Sequence, residues 1–326
     1  MSTGPSQPAP SENGNQAAIT HLKGSATRYW REKIIQYLLF LAAFSSVAVT
    51  TGIVVTLLSE SAVFFQQVSL WEFLTETTWT PAFDEPKHGI LPLVAGTLIT
   101  TGVALAVALP IGTIIAIYLS EYAPFALREI IKPILELLSA VPTVVYGYFA
   151  LLFVTPWLKW LFELPFLVDY MPELDAFSML SAGIVMGIMI IPYVSSLSED
   201  AMRSVPMLLR EGAYALGANK LITSIRVVYP SALSGIGAAY ILGISRAIGE
   251  TMIVAIAAGM QPNLTWNPAE PASTITAYIV QVSKGELPRE GPGYKAIFAA
   301  GLTLFVMTLG FNIVGHILRK RYREAY

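Results

Sequence analysis

The sequence lacks cysteine altogether and has only three histidines, and both shortages exclude kinds of chemistry. Without cysteine the chain can form neither a disulfide nor a thiolate metal site. The histidines His21, His88 and His316 lie far apart in the sequence, and no nucleophile–base pair stands out, which disfavours a membrane enzyme. A G-x-x-x-x-G-K-S/T loop is missing as well, so the chain has no P-loop with which to bind ATP. We therefore expect no catalytic site, no metal and no cofactor.

Charged residues are scarce too: they make up 13% of the 326 residues, whereas hydrophobic residues make up 54%. This composition is too apolar for an ordinary soluble domain. A helix that crosses a bilayer core about 30 Å thick needs roughly 20 apolar residues. Six stretches meet that requirement: 34–58, 90–119, 134–160, 178–197, 231–260 and 295–318. Because these runs are continuous rather than alternating, a barrel is disfavoured. The sequence predicts an all-α fold, a polytopic membrane bundle of six transmembrane helices.

Basic residues are distributed unevenly between the loops that join these spans. Short loops on the cytoplasmic side of a membrane are rich in Lys and Arg. With both termini inside, that side holds fourteen basic residues: Lys23, Arg28, Arg31, Lys33, Arg128, Lys132, Arg203, Arg210, Lys220, Arg226, Arg319, Lys320, Arg321 and Arg323. The opposite side holds five: Lys87, Lys159, Lys284, Arg289 and Lys295. We therefore expect both termini to be cytoplasmic.

Two segments outside the spans carry further predictions. Residues 1–26 are rich in Ser, Pro, Gly, Asn and Gln, which predicts a disordered cytoplasmic tail ahead of a transmembrane domain over 27–326. In the outer loop 60–89, apolar side chains recur at about helical spacing: Phe64, Phe65, Val68, Trp71 and Leu74. This pattern suits a helix that lies in the membrane interface. The alternative is that the aromatic residues form the usual interfacial belt.

The connection from 198 to 230 is long and polar, unlike the short turn expected over 120–133. Its motif is Glu211-Gly212-Ala213, then Gly217 after three residues, then an aliphatic-x-x-Pro sequence that ends at Pro230. Ser204 and Pro206 predict the start of a short helix and Gly217 its end. Glu211, Ala215 and Ala218 would lie near one face of it. Pro230 is expected to open the fifth span, where its missing N–H costs nothing.

This spacing resembles the EAA loop of ABC-importer permeases, the cytoplasmic segment that docks on the ATP-hydrolysing subunit. Gly212 stands where that family usually has Ala, Val227 where it has Ile, and Tyr229 where it has Leu. The resemblance implies a type I ABC-importer permease-like fold. It also implies that the motif couples the chain to an ATPase, through Glu211, Gly212, Ala213, Gly217 and Pro230. The alternative is that 204–230 is a surface helical hairpin without a partner.

A charge falls in the interior of the fifth span. Arg246 lies roughly 22 Å along its axis, where charged groups are expensive and indicate function. Glu250 follows at i+4, the spacing at which helical side chains meet. One reading is an anion route, because the planar fork of Arg suits the oxygens of phosphate and Glu250 could hold it in place. The other is a buried ion pair that only locks two helices together.

Three hydroxyl-bearing residues recur on the third span at i, i+4 and i+7: Ser139, Thr143 and Tyr146. They could line the substrate path as donors, or they could form hydrogen bonds to neighbouring helices. The spacing alone favours neither role.

Three blocks resemble the PstC-type permease subunit of bacterial phosphate importers: LPIGTIIAIYLSEYAP (109–124), AVPTVVYGYFAL (140–151) and ISRAIGETMIVAIAAG (244–259). The resemblance implies a heterodimer with a homologous, PstA-like sister permease in the bacterial inner membrane. Further implied partners are two PstB-like ATPase subunits and a PstS-like periplasmic phosphate-binding protein, but no nucleic acid. The alternatives are a permease for sulfate, molybdate or tungstate, and an ion-coupled secondary anion transporter.

Overall fold

The computed structural model describes residues 26–81, 86–165, 173–285 and 291–321. Apart from Ala26, the predicted disordered tail therefore lies outside the described residues. The chain divides into two compact units, Met1–Thr56 and Leu57–Tyr326. In the first unit the described residues belong to one helix, α1, which runs from Ala26 to Phe65. The helix is long and apolar enough to cross a membrane, with side chains such as Leu38 and Phe44.

The second unit is a bundle of helices. Those of the described residues are α2 (Leu70–Thr75), α3 (Leu91–Ile117), α4 (Phe125–Ser139), α5 (Thr143–Phe149), α6 (Thr155–Phe162), α7 (Met179–Arg203), α8 (Met207–Ala215), α9 (Lys220–Thr223), α10 (Tyr229–Ser231), α11 (Leu233–Ile248), α12 (Met252–Ala257), α13 (Ile275–Ser283) and α14 (Pro292–Arg321). Wider π-helical turns follow α3, α5 and α9, at Tyr118–Tyr122, Ala150–Val154 and Ser224–Val228.

Among the described residues, five helical stretches are long and apolar enough to cross a membrane. They are Tyr29–Phe65, Leu91–Tyr122, Thr143–Phe162, Met179–Arg203 and Gly293–Ile317. A sixth candidate is the bent pair Lys220–Ser231 and Leu233–Ile248, whose axes differ by 72°. The expected all-α, six-span membrane bundle is confirmed.

Small residues set the packing at the centre of the second unit, where α3 lies against α7. A side chain at Gly187 would place its Cβ 2.8 Å from the carbonyl oxygen of Ala104, and one at Gly183 would come 2.7 Å from Val103. Neither position tolerates even a methyl group, so glycine is what lets the two backbones approach. The surrounding core is apolar and buried, with Ala108, Val185, Met186, Met189 and Ile190 at its centre.

The predicted third span, 134–160, is broken rather than continuous. Helix α4 already begins at Phe125, where a short turn was expected, and it ends at Ser139. Pro142 has no N–H and disfavours the helical conformation at the residue before it. The membrane-crossing stretch therefore begins only at Thr143. Ser139 and Thr143 consequently do not lie one turn apart on one helix.

The predicted fifth span, 231–260, is interrupted as well. Helix α11 ends at Ile248, residues 249–251 leave the helix, and α12 resumes at Met252. Pro230 does not open this span: it lies in α10, before the 72° bend into α11. Its missing N–H is tolerated there, because it falls within the first two residues of α10.

The outer loop 60–89 contains the short helix α2 and part of a small core. Phe64 is the last but one residue of α1, and it is fully buried against Phe73 and Trp79. Val68 is buried in the same cluster, whereas Trp71 and Leu74 on α2 are exposed. Phe64 and Val68 therefore belong to a small core, while the interface helix and the aromatic belt stay predictions for Trp71 and Leu74.

Candidate functional site

Helix α8 carries the Glu-Gly-Ala motif and has defined ends, as the sequence predicts. Pro206 precedes its first turn in an extended conformation. At the other end Gly217 adopts a left-handed conformation with φ of 83°. The Gly217 N–H donates to Tyr214 O at 2.9 Å, and the Ala218 N–H donates to Ala213 O at 3.0 Å. This pair of bonds is a Schellman motif, for which glycine is the preferred residue because a side chain there is strained.

One arginine fastens α8 to the bundle. The Nη2 of Arg210 donates to Glu121 Oε1 at 2.8 Å, and Glu121 lies in the π turn after α3. The same guanidinium donates to the carbonyl oxygens of Val205 at 2.7 Å and Met202 at 2.9 Å. The side chains of Arg210 and Glu121 are only 11% and 5% exposed. Arg210 thus joins α8, the end of α7 and the end of α3 in one clamp.

The opposite face of α8 is exposed and mostly apolar. Met207, Leu208 and Leu216 are exposed to 59%, 77% and 90% of their surface. Glu211 and Gly212 lie on the same side and are exposed too. Among the described residues, no basic group lies within 4.0 Å of the Glu211 carboxylate. Apolar side chains at this density beside one free acid are typical of a surface that binds a protein partner. Ala218 lies beyond the end of α8, so it is not on this helical face.

A second cluster of charges ties α4 to α7. The Lys132 ammonium donates to Glu199 Oε2 at 2.8 Å and also to Asp200. Burial disfavours the charged ammonium, but the two carboxylates outweigh it and raise the pKa of Lys132. Glu199 is completely buried, so Lys132 supplies the charge that its carboxylate needs.

Arg246 lies near the end of α11 and is half-buried. Its guanidinium carbon is 5.7 Å from the centre of the Tyr193 ring on α7, in a cation–π contact. It also lies within electrostatic range of the Tyr146 hydroxyl on α5. Among the described residues, no carboxylate lies within 4.0 Å of Arg246. Three helices therefore meet around a cation that has no ion-pair partner in that part of the chain.

Glu250 does not pair with Arg246, although their spacing in the sequence suggests it. Glu250 falls in the break after α11, where the i, i+4 geometry of a helix no longer holds. Its Oε1 accepts hydrogen bonds from the N–H groups of Met252 at 3.0 Å and Ile253 at 3.3 Å. The carboxylate therefore caps the start of α12, and its backbone oxygen accepts from the Thr276 hydroxyl at 2.7 Å.

The three predicted hydroxyls are only partly brought together. The Tyr146 hydroxyl donates to Leu138 O at 2.9 Å, across the break between α4 and α5. The Ser139 hydroxyl donates to Glu136 O at 2.7 Å within α4. The Thr143 hydroxyl has no hydrogen-bond partner among the described residues. Of the three, only the Thr143 donor is unengaged within that part of the chain.

Sequence reasoning missed the Arg210–Glu121 clamp. Arg210 counts as one of many basic residues at this end of the bundle, and Glu121 lies 89 positions away. No spacing rule links residues that far apart, so only the fold reveals the pairing. The same holds for the contact between Arg246 and Tyr193.

Comparisons with known proteins agree with this architecture. Residues 108–324 match the family described as "Binding-protein-dependent transport system inner membrane component". The chain is 34% identical over 254 residues to the "Probable ABC transporter permease protein YqgH" of Bacillus subtilis, covering 78% of this chain and 79% of that one. It is 33% identical over 265 residues to the "Phosphate transport system permease protein PstC" of Haemophilus influenzae, covering 78% and 82%.

A solved structure shows the same fold. A chain of a bacterial alginate ABC transporter, in complex with an alginate-bound periplasmic protein, superposes with a TM-score of 0.60. The alignment covers 92% of this chain and 100% of that chain at 16% identity.

The chain belongs to the family of inner membrane components of binding-protein-dependent transport systems. It is a multi-pass ABC-transporter permease, and hydrolysis of ATP belongs to a separate subunit of such a system. An ATPase and a substrate-binding protein are therefore its partners in general terms.

Proposed function

We propose that this permease carries inorganic phosphate, as half of the translocation path of an ATP-driven importer. The blocks VPTVVYG and RAIGETM and the relatives that are phosphate transport permeases support this choice of substrate. The observation that carries it is Arg246: a half-buried guanidinium in a membrane-spanning helix without a carboxylate among the described residues to neutralise it.

An anion that crosses a bilayer needs positive charge on its route. Taking an ion out of water costs several kcal/mol even after the protein relaxes. A guanidinium presents several N–H donors in a plane, which match the oxygens of phosphate. Because Glu250 is engaged with the backbone of α12, it leaves Arg246 free to bind the anion.

The three hydroxyl groups of Ser139, Thr143 and Tyr146 supply further donors in this proposal. Thr143 can donate directly, because its hydroxyl has no partner among the described residues. Tyr146 and Ser139 must first give up their hydrogen bonds to backbone carbonyl oxygens before they can donate to the anion. Glu250 contributes by holding the break between α11 and α12 in shape, rather than by gripping Arg246.

We also propose that the exposed face of α8 docks on the ATPase subunit. Leu208 and Leu216 supply apolar area, Glu211 supplies an acceptor, and Gly212 lets a partner approach because nothing lies within 4 Å of where its Cβ would stand. Ala213 is largely buried on the bundle side, Gly217 shapes the end of the helix, and Pro230 lies in the segment that leads to α11. The partners would be two PstB-like ATPases, a PstA-like sister permease and a PstS-like binding protein in the bacterial inner membrane.

The substrate is tested by competition in cells that carry the complete transporter. We expect an excess of unlabelled phosphate to abolish uptake of labelled phosphate, and an excess of sulfate, molybdate or tungstate to leave it unchanged. Strong competition by one of those oxyanions would reassign the substrate. A separate arm dissipates the ion gradient with an ionophore while ATP is maintained. Loss of uptake in that arm would favour an ion-coupled secondary transporter instead.

Orientation and docking are tested together by single cysteines, since the chain has none of its own. We expect a membrane-impermeant maleimide to label Lys87→Cys from outside intact cells and Leu216→Cys only in inside-out vesicles. Both positions are exposed, so access rather than burial decides the result. Binding of the ATPase subunit should then protect Leu216→Cys. Labelling of Leu216→Cys from outside would reverse the topology, and labelling unaffected by the ATPase would remove α8 from the interface.

A further inference from the structure

A groove runs between α11 and α14, and Arg319 borders three neighbouring cavities along it. Their volumes are about 630, 320 and 240 Å³. The groove lies at the end of the bundle that carries α8, because α11 begins at Leu233, directly after the segment that follows α8.

One part of the groove is apolar. The cavity of about 320 Å³ is lined by side chains such as Ile236, Ile241 and Ile244 of α11. Its floor is formed where the helices come close: a Cβ at Gly315 on α14 would lie 2.3 Å from Ile241. Gly237 borders the same cavity, and nothing lies within 4 Å of the position of its Cβ. A channel of this kind accommodates a hydrocarbon chain.

The mouth of the groove is basic. The cavity of about 630 Å³ is lined by Arg319, Lys320, His316 and the hydroxyl-bearing Ser234. No carboxylate of the described residues lies within 4.0 Å of Arg319 or Lys320, while Glu324 falls outside those residues. The Nη2 of Arg319 lies 3.4 Å from His316 Nδ1. Since a guanidinium can only donate, Nδ1 accepts, and the imidazole proton on Nε2 is available to an anion.

The depth of this mouth matches that of a lipid headgroup. Helix α14 has 30 residues, which at 1.5 Å per residue makes it about 45 Å long. The hydrocarbon core of a bilayer is about 30 Å thick, so the terminal turn with Arg319 and Lys320 extends into the headgroup layer. The apolar part begins at the same end but extends along α11 as far as Ile244, toward the hydrocarbon.

We propose that this groove binds an anionic phospholipid, whose phosphate contacts Arg319 and Lys320 while one acyl chain lies along Ile241 and Ile244. Basic pockets between transmembrane helices at the cytoplasmic face are suited to anionic headgroups. A free phosphate ion would use the basic mouth alone and would leave the apolar channel without a role. Because Arg319 borders both the basic mouth and the apolar cavity, one ligand with a charged head and an apolar tail can use both, which favours a lipid over an ion.

The test measures lipid bound to the purified complete transporter by native mass spectrometry. The probes are phosphatidylglycerol, phosphatidylethanolamine and inorganic phosphate, each added alone and phosphate also as a competitor. We expect the unaltered transporter to retain phosphatidylglycerol in preference to phosphatidylethanolamine. About 1 kcal/mol for each basic group near a charged surface corresponds to about fivefold in affinity. The variant Arg319→Gln/Lys320→Gln should therefore bind phosphatidylglycerol about 25-fold more weakly.

Each part of the groove has a matched control. Lys220→Gln/Arg226→Gln removes two basic residues of the same unit that do not line the groove, and it should keep the lipid. Gly237→Leu fills the apolar channel without altering charge and should lose it. Gly310→Leu is a control for that change, because it also enters open space on α14 but does not line the groove.

Three outcomes would overturn the proposal. Displacement of the lipid by millimolar inorganic phosphate, with Gly237→Leu unaffected, would identify a phosphate site instead. Equal losses in the groove variants and their controls would mean nonspecific adsorption. Absence of bound lipid, with cross-linking from Gly237→Cys to the sister permease, would mean that a protein covers the groove.

Discussion

Phosphate uptake should become barely measurable when Arg246 is replaced by alanine, while the transporter still assembles. The anion would then cross the membrane past a neutral wall, and its lost hydration would be poorly compensated. If that adds about 3 kcal/mol to the barrier, passage slows more than 100-fold, since each 1.4 kcal/mol is about a factor of ten. The measurement is the initial rate of labelled phosphate uptake in proteoliposomes, normalised to the amount of assembled transporter.

The controls separate charge from packing. Arg246→Lys keeps the charge but loses the planar fork, so it should restore uptake only in part. Arg128→Ala is the matched control, because it also removes a guanidinium in contact with an aromatic ring. Arg128 lies on α4, and its guanidinium carbon is 5.4 Å from the centre of the Phe125 ring. It should transport normally. The double variant Arg246→Met/Glu250→Leu should stay inactive, because the two residues are not an ion pair. Near-normal uptake by that double variant would contradict the proposal that Arg246 lies on the anion route.

Coupling to ATP hydrolysis should be lost when Arg210 is replaced by methionine. The change leaves Glu121, which is only 5% exposed, without its cation, and it frees the carbonyl oxygens of Met202 and Val205. Breaking a buried pair in this way costs about 3–5 kcal/mol. We expect α8 to detach from the bundle, so that the ATPase subunit no longer co-purifies and phosphate no longer stimulates ATP hydrolysis.

Two further variants decide whether the clamp is responsible. Arg203→Met removes an arginine that is 48% exposed and 3.5 Å from Glu199, a carboxylate that Lys132 still neutralises at 2.8 Å. This variant should couple normally. Arg210→Met/Glu121→Leu removes both buried charges and should recover thermal stability relative to the single variant. If Arg210→Met alone couples as well as the unaltered chain, the clamp does not position α8.

The features that follow from local rules could be predicted from the sequence. Long apolar runs predict the spans because any span of a bilayer must be long and apolar, and the left-handed Gly217 follows from the preference for glycine at a helix end. The family resemblance of the 211–230 motif likewise rested on short-range spacing. Each of these depends on residues within about twenty positions of one another.

The features that depend on tertiary contacts could not be predicted. Arg246 and Glu250 look paired only if the helix continues, and it stops at Ile248. Glu250 instead satisfies the N–H groups at the start of α12, a competing use of the carboxylate that periodicity does not reveal. The sequence predicts one span over 134–160, whereas residues up to Ser139 belong to a separate helix, α4, which no local pattern predicts.

The 72° bend between α10 and α11 can act as a pivot for α11. Arg246 lies thirteen residues beyond Leu233, which places it about 20 Å from the bend. Rotation of α11 by about 10° around this pivot would carry Arg246 through about 3.5 Å, by the same helical rise. Its contact with the Tyr193 ring spans 5.7 Å, close to the limit of about 6 Å at which such attraction is felt. A rotation of about 10° at the bend, near the α8 surface where we propose that the ATPase docks, would therefore be enough to break or restore the contact between Arg246 and Tyr193.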